Sequence, residues 1–330
     1  MKYVFGPVPS RRLGRSLGVD TVPLKTCNWN CVYCQLGRSR PVVNERGVYH
    51  PTEAILAEIG EALRAHEAGA IDWVTFVASG EGTLHSEIGR LVRETKAMTT
   101  IPVAVITNGS LLSEPTVREA LSAADAVLPS LDAGSAELYR RINRPHPSLT
   151  FERHVGGLAA FRKEYGGRLW VEVMLIKDVN DTEEALGDLR TVLASIRPNE
   201  VHLVLPSRPP VETWVQPSEE EGISRAVSVL GEIAQIVAPD GGELEIGRCE
   251  DPAEAVVAVV TRHPVRRDEL ERALAQRTGS DGGETLEELL VSGHVQCVLR
   301  NGVEFIAAPG AHYPEAVQSE RTSRGGKKGG

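Results

Sequence analysis

Three of the five cysteines of this 330-residue chain fall within one short stretch, Lys25-Thr26-Cys27-Asn28-Trp29-Asn30-Cys31-Val32-Tyr33-Cys34-Gln35. Their spacing is Cys-x3-Cys-x2-Cys. Clustered thiolates bind zinc or iron–sulfur clusters. Structural zinc sites are closed by four protein ligands, often two paired Cys or His knuckles. Neither Cys249 nor Cys297 belongs to a second knuckle. Zinc completed by a distant His therefore stays open at this point. A [4Fe–4S] cluster normally takes four Cys, so three would leave one iron open to a small molecule.

Outward from the loop, two kinds of segment alternate. Ser16–Val22, Trp73–Ala78, Pro102–Thr107, Ala126–Leu131, Leu169–Ile176 and Glu200–Leu205 are short, apolar and rich in β-branched residues. Buried parallel strands read this way. Longer segments at about 52–68, 84–98, 113–123, 151–165, 181–196 and 218–237 have helical period, with Ile55, Ile59 and Leu63 on one face of the first. Thr52 is a candidate cap, and Asp181 with Glu184 and Ser218 with Glu221 have capping-box spacing. Strand–helix repeats with right-handed crossovers make a parallel α/β sheet. Six are too few for an eight-fold barrel, so the expectation is a partial (β/α)6 barrel over 1–248, with its chemistry at the strand C-terminal ends.

The pattern changes after Cys249. Helices fit Ala253–Arg262, Arg266–Ala275 and Gly283–Ser292, and Asn301-Gly302 joins two apolar runs, Val295–Leu299 and Val303–Ala307. Asn-Gly in that position signals a hairpin. Three helices and a hairpin give a small winged helix-turn-helix unit over 251–309. A Gly- and Lys-rich tail, 310–330, is expected to be disordered.

The chain has no apolar run long enough to span a bilayer, and its start lacks the apolar stretch of a signal peptide. A cytoplasmic protein is expected, and thiols stay reduced there. The net charge of −9 is uneven. Residues 1–48 hold eight Lys and Arg against Asp20 and Glu45. A cationic segment around the cysteines suits an anionic ligand, because Arg binds carboxylate or phosphate bidentately. Residues 251–309 are acidic, and Glu284, Glu287 and Glu288 occupy the helix where DNA-recognition residues would lie. Duplex binding needs a net cationic face, so this unit is expected to contact protein or peptide, or to be structural, rather than to bind DNA.

The Cys-x3-Cys-x2-Cys spacing with Tyr33 before the last Cys resembles the motif of the radical S-adenosylmethionine (SAM) superfamily. Ser79-Gly80-Glu81-Gly82-Thr83 is similar to that family's Gly-Gly-Glu-Pro-Thr stretch, departing at Ser79 and Gly82. Thr107-Asn108-Gly109 and Ser130-Leu131-Asp132 stand where the family places SAM-facing strand ends. The resemblance implies that Cys27, Cys31 and Cys34 ligate a [4Fe–4S] cluster whose open iron chelates SAM. Reductive cleavage of SAM then gives a 5′-deoxyadenosyl radical that abstracts hydrogen from substrate. It further implies SAM-binding roles for Gly80, Glu81, Asn108, Ser130 and Asp132, an adenine cover from Val201–Leu205, and an electron donor of flavodoxin or ferredoxin type. Phe5–Asp20 and Tyr139–Pro145 resemble a subgroup related to wyosine-base synthesis in tRNA.

Arg11, Arg12, Arg144 and Arg208 map to the loop end of the sheet and are candidates for an anionic substrate, an RNA base among them. Glu172, in mid-strand, would need a partner such as Arg to be buried. Cys249 and Cys297 alone cannot hold an auxiliary cluster. The alternative is a non-catalytic iron–sulfur or zinc regulator with a winged-helix domain. Such a protein would leave the polar strand ends unexplained.

Overall fold

The computed structural model describes residues 1–10, 12–237, 252–278, 281–300 and 302–314. Arg11, Cys249, Asn301 and the tail beyond residue 314 lie outside the described residues. The sheet runs β1 (Val4–Ser10), β2 (Gly14–Val19), β3 (Trp73–Phe76), β4 (Val103–Thr107), β5 (Ala126–Pro129), β6 (Arg168–Met174), β7 (Glu200–Val204) and β8 (Ala234–Ile236), in that order. β2 to β8 are parallel, and β1 pairs antiparallel with β2. The six expected strands are β2–β7, and two edge strands extend the expected partial barrel.

The helices are α1 (Thr52–Ala65), α2 (Ile88–Met98), α3 (Pro115–Leu121), α4 (Ala136–Asn143), α5 (Phe151–Glu164), α6 (Glu183–Ile196) and α7 (Glu220–Leu230). α4 was not expected as a helix. Ser135 caps it by accepting from the Leu138 N–H, and Arg144 ends it at φ 45°. The three expected caps sit elsewhere: Thr52 is the first residue of α1, with Pro51 at the cap position, and Glu219 rather than Ser218 stands at the cap position of α7. Thr182, not Asp181, caps α6, and the Asp181 carboxylate instead accepts from Asp178 N–H and Ser218 Oγ–H. α7 stops early at Gly231, whose φ of 77° favours glycine, and β8 follows where helix was expected.

Strand alternation divides the side chains between two faces. Val74, Phe76, Val103, Val105, Val127, Leu169, Val171, Val173, Val201 and Leu203 join the helices in the main core. The opposite face carries Trp73, Ala104, Ala126, Leu128 and Trp170 at its floor, with Leu13 from the β1–β2 turn plugging it. Towards the strand C-terminal ends this inner face turns polar, with Thr75, Glu172 and Met174 bordering a cavity. The strands read as uniformly apolar because both faces are covered.

The C-terminal unit contains α8 (Pro252–Arg262), β9 (Val265–Arg266), α9 (Arg267–Thr278), α10 (Gly282–Val291), β10 (Gln296–Arg300) and β11 (Val303–Ala307). Its three-stranded antiparallel sheet has the order β10-β11-β9. Val256, Val260, Leu270, Leu274, Leu286 and Ile306 form its own core. It is bonded to the rest of the chain: Arg262 donates to Lys2 O at 2.7 Å and Arg300 to Pro210 O at 3.2 Å. Ala311 is buried, and Arg38 N–H donates to His312 O at 2.8 Å, so the start of the expected free tail is packed. Among the described residues no helix is long and apolar enough to cross a membrane.

Candidate active site

The cysteine loop follows β2 and is fastened to the end of β3. Lys25 N–H donates to Ser79 O at 2.6 Å, and Glu81 N–H donates to Thr26 O at 2.9 Å. Gly80 permits this approach, because a Cβ on it would stand 2.0 Å from the Thr26 carbonyl oxygen. Asp20 fixes the same turn by accepting from Ser79 N–H and Oγ–H. On the other side, Val32 N–H donates to Ile142 O at 2.9 Å, and Trp29 packs edge-on against Tyr139 and His154. α4 thus serves as the second anchor of the loop.

Each sulfur faces a nitrogen donor. Cys27 Sγ lies 3.4 Å from Trp29 N and 3.9 Å from Asn108 Nδ2. Cys31 Sγ lies 3.7 Å from Asn143 Nδ2, and Cys34 Sγ 3.1 Å from Lys25 Nζ. Burial pushes the Cys27 thiol up to about 12, opposed by the Lys25 charge. Burial and then the Asp132 carboxylate push Cys31 up as well. Burial alone would lower Lys25, but the charges of Cys34 and Cys27 outweigh it and raise it. Cationic metal at such thiols supplies the charge that ionises them. Among the described residues, no three His, Cys, Asp or Glu side chains converge on a position for a single metal ion.

Two carboxylates brace this loop end. Glu81 is 1% exposed and accepts from Thr83 N–H, Thr83 Oγ–H, Thr107 Oγ–H and Asn108 N–H. Asp132 accepts from Tyr33 Oη–H and Asn143 Nδ2–H at 2.6 Å each, and from Met174 N–H at 2.8 Å. Its carboxyl is pushed above the ordinary value by burial, against the pull of its three donors. Asn108 is likewise engaged: its Nδ2–H donates to Asn28 Oδ1 at 2.7 Å, and its Oδ1 accepts from Ser110 N–H at 2.9 Å. Ser130 differs, since its hydroxyl makes no hydrogen bond among the described residues and borders the cavity.

That cavity, about 420 Å³, brings together Cys27, Cys31, Cys34, Gly80, Glu81, Asn108, Ser130, Asp132, Arg12 and Arg208. Arg12 forms an ion pair with Glu172, the Arg partner that the mid-strand Glu required. Arg208 donates to Gln35 Oε1 at 3.3 Å. Val204 and Leu205 close one wall. Arg144 is not brought into the cavity: it is held 2.6 Å from Glu212, which also pairs with Arg38. Four residues at the site escaped the sequence reading. Lys25 and Gln35 lay inside the quoted stretch, and Asn143 inside Tyr139–Pro145. His263 comes from the end of α8, borders the cavity and faces Gln35 Nε2 at 3.2 Å; no local signal marks it.

The family model described as radical SAM superfamily matches residues 21–189. A protein of Brachyspira hyodysenteriae named GTPase Obg is 36% identical over 310 residues, which cover 92% of this chain and 44% of that protein. The chain thus spans less than half the length of that relative. A UPF0026 protein of Methanocaldococcus jannaschii is 34% identical over 279 residues, covering 83% of this chain and 86% of that protein. Among solved structures, a radical SAM methyltransferase from Sphaerobacter thermophilus is similar in fold, with a TM-score of 0.51 and 20% identity over 67% of this chain and 66% of that one.

Proposed function

The chain belongs to the radical SAM superfamily, and from that premise we propose that Cys27, Cys31 and Cys34 hold a [4Fe–4S] cluster, that the adjoining cavity binds SAM, and that an anionic substrate is held by Arg12 and Arg208. Membership makes the protein an enzyme, and the family implies both cofactors. The single observation that carries the reading is the sharing of one cavity by three thiols and the polar ends of β3–β6. The residues fit an anionic cluster. Lys25 is buried, and its ammonium has a cysteine sulfur, not a carboxylate, as its partner among the described residues. When bound, the cluster and SAM supply one-electron chemistry that removes a hydrogen atom from substrate.

In this reading the chain's own residues divide the work. Ser130, with its uncommitted hydroxyl, contacts the SAM ribose, and the Gly80 turn and Asn108 border the rest of SAM. Glu81 and Asp132 act as braces, since their oxygens already accept hydrogen bonds from the loop and neighbouring strands. Arg12, oriented by Glu172, and Arg208 draw a carboxylate or phosphate towards the cavity. The basic N-terminal segment would accommodate the phosphates of an RNA substrate. We read the C-terminal unit as a winged helix-turn-helix that walls the cavity with His263 and contacts protein or peptide rather than DNA. A flavodoxin- or ferredoxin-type donor would supply the electron.

Anaerobic reconstitution with iron and sulfide, followed by reduction in the presence of SAM, tests the reading. The expected product is 5′-deoxyadenosine. A reconstituted protein that yields none would overturn it. Mass spectrometry of anaerobic reactions with pools of anionic small molecules and with tRNA then tests the substrate class.

A further inference from the structure

We propose that Lys25 is a positioning residue that sets the reduction potential of the cluster through Cys34. The inference rests on Cys27, Cys31 and Cys34 being cluster ligands, and it needs neither SAM nor substrate. Its first support is a graded donor arrangement. Cys27 faces the Trp29 amide and the Asn108 carboxamide, Cys31 the Asn143 carboxamide, and Cys34 an ammonium. The charged donor stands nearest, 3.1 Å from sulfur, where the carboxamides stand 3.7 and 3.9 Å away. Hydrogen bonds to ligand sulfurs and local charge are the means by which a protein tunes an iron–sulfur potential.

The second support is the backbone. Lys25 has a φ of 64°, in the left-handed region that a non-glycine residue adopts at a cost. Its N–H is held by Ser79 O at 2.6 Å, so the turn that fastens the loop also sends this side chain inward. A buried Lys is rare unless paired. Here the partner is a sulfur, and among the described residues no carboxylate neutralises the ammonium.

Reduction adds one negative charge to the cluster. A fixed positive charge beside one ligand stabilises that reduced form relative to the oxidised form, so it raises the potential. Removing it must lower the potential.

The test is a redox titration of the reconstituted full-length protein without SAM, followed by electron paramagnetic resonance, with iron and sulfide counted for each variant. Lys25→Met should shift the oxidised-to-reduced ratio at a fixed potential by at least about tenfold towards oxidised, or ~59 mV for a one-electron couple. Lys25→Arg should restore most of the shift. Asn143→Ala, which removes an uncharged and more distant donor, should shift it less than Lys25→Met does. Where Lys25→Met holds too little iron to titrate, Lys25→Gln replaces it with the same expected direction. A neutral variant with full iron content and an unchanged potential overturns the role of Lys25. A wild-type protein that assembles no cluster overturns the proposed function instead.

Discussion

Tyr33 Oη stands 2.6 Å from Asp132 Oδ2, joining the cysteine loop to the end of β5 across 99 residues of sequence. Tyr33→Phe deletes one charge-assisted bond and leaves Asp132 with Asn143 and Met174 N–H. The expected loss of apoprotein stability is about 1.5–3 kcal/mol. Asp132→Ala strands three donors at once and should cost more. Urea denaturation of both variants checks the ranking. A neutral Tyr33→Phe would show that the bond does not hold the loop.

Loss of any one of Cys27, Cys31 and Cys34 to Ala should abolish cluster assembly, read as iron and sulfide per chain and as visible absorbance after reconstitution. Cys297→Ala should assemble normally, because this thiol is exposed and lies in the C-terminal sheet. Cys249→Ala should do the same. Dependence of assembly on Cys249 or Cys297 would mean that no iron is left open, and the SAM reading would fail with it.

Gly80→Ala places a methyl group against the Thr26 backbone, with contacts of 2.0 Å to the carbonyl oxygen and 2.7 Å to its carbon. Backbone cannot rotate away as a side chain can, so the cost should reach at least about 2 kcal/mol, in the range of overpacked sites. Gly156→Ala is the control. It lies in α5 with no atom within 4 Å of its added Cβ, so it should stabilise by ~0.5–1 kcal/mol. Thermal unfolding of the two variants should therefore move in opposite directions, and a tolerated Gly80→Ala would refute the close approach.

The six central strands were legible because burial on both faces makes each a short apolar run. β1 was not, because Val4-Phe5-Gly6-Pro7-Val8-Pro9-Ser10 carries a Gly and two Pro that read as loop. An edge strand tolerates Pro, since one side needs no ladder donor. β8 was hidden in the tail of a helical pattern that Gly231 cuts short. The thiols were legible because the motif is local. Ser130, Asp132 and Glu172 border one cavity, but their positions along the strands cannot name their partners. That Asp132 holds Tyr33, or that Arg12 meets Glu172, depends on loops folding back over the strand ends. His263 reaches the cavity from a separate sheet and helix set, a juxtaposition no single segment encodes.

His154 gives the fold a pH dependence of definite sign. It is 1% exposed, stacked on Tyr139 at 5.4 Å, and its Nε2 lies 3.1 Å from Ser130 O. Burial pushes its pKa down to about 4, so the folded chain holds it neutral while the unfolded chain protonates it near the ordinary 6.5. Its contribution to stability is complete above 6.5 and is lost as pH falls from 6.5 towards 4. The slope of one such proton is ~1.36 kcal/mol per pH unit, or roughly 3 kcal/mol across the window. Burial lowers His50, His85 and His202 too, so the wild-type slope in mildly acidic solution contains their share. The discriminating quantity is therefore a difference in slopes. His154→Gln keeps a donor for Ser130 O and removes the titration. Urea midpoints of the apoprotein across the window should show a shallower acid limb for His154→Gln than for wild type, with both curves level above neutrality. Parallel acid limbs would mean that His154 is not held neutral by its surroundings.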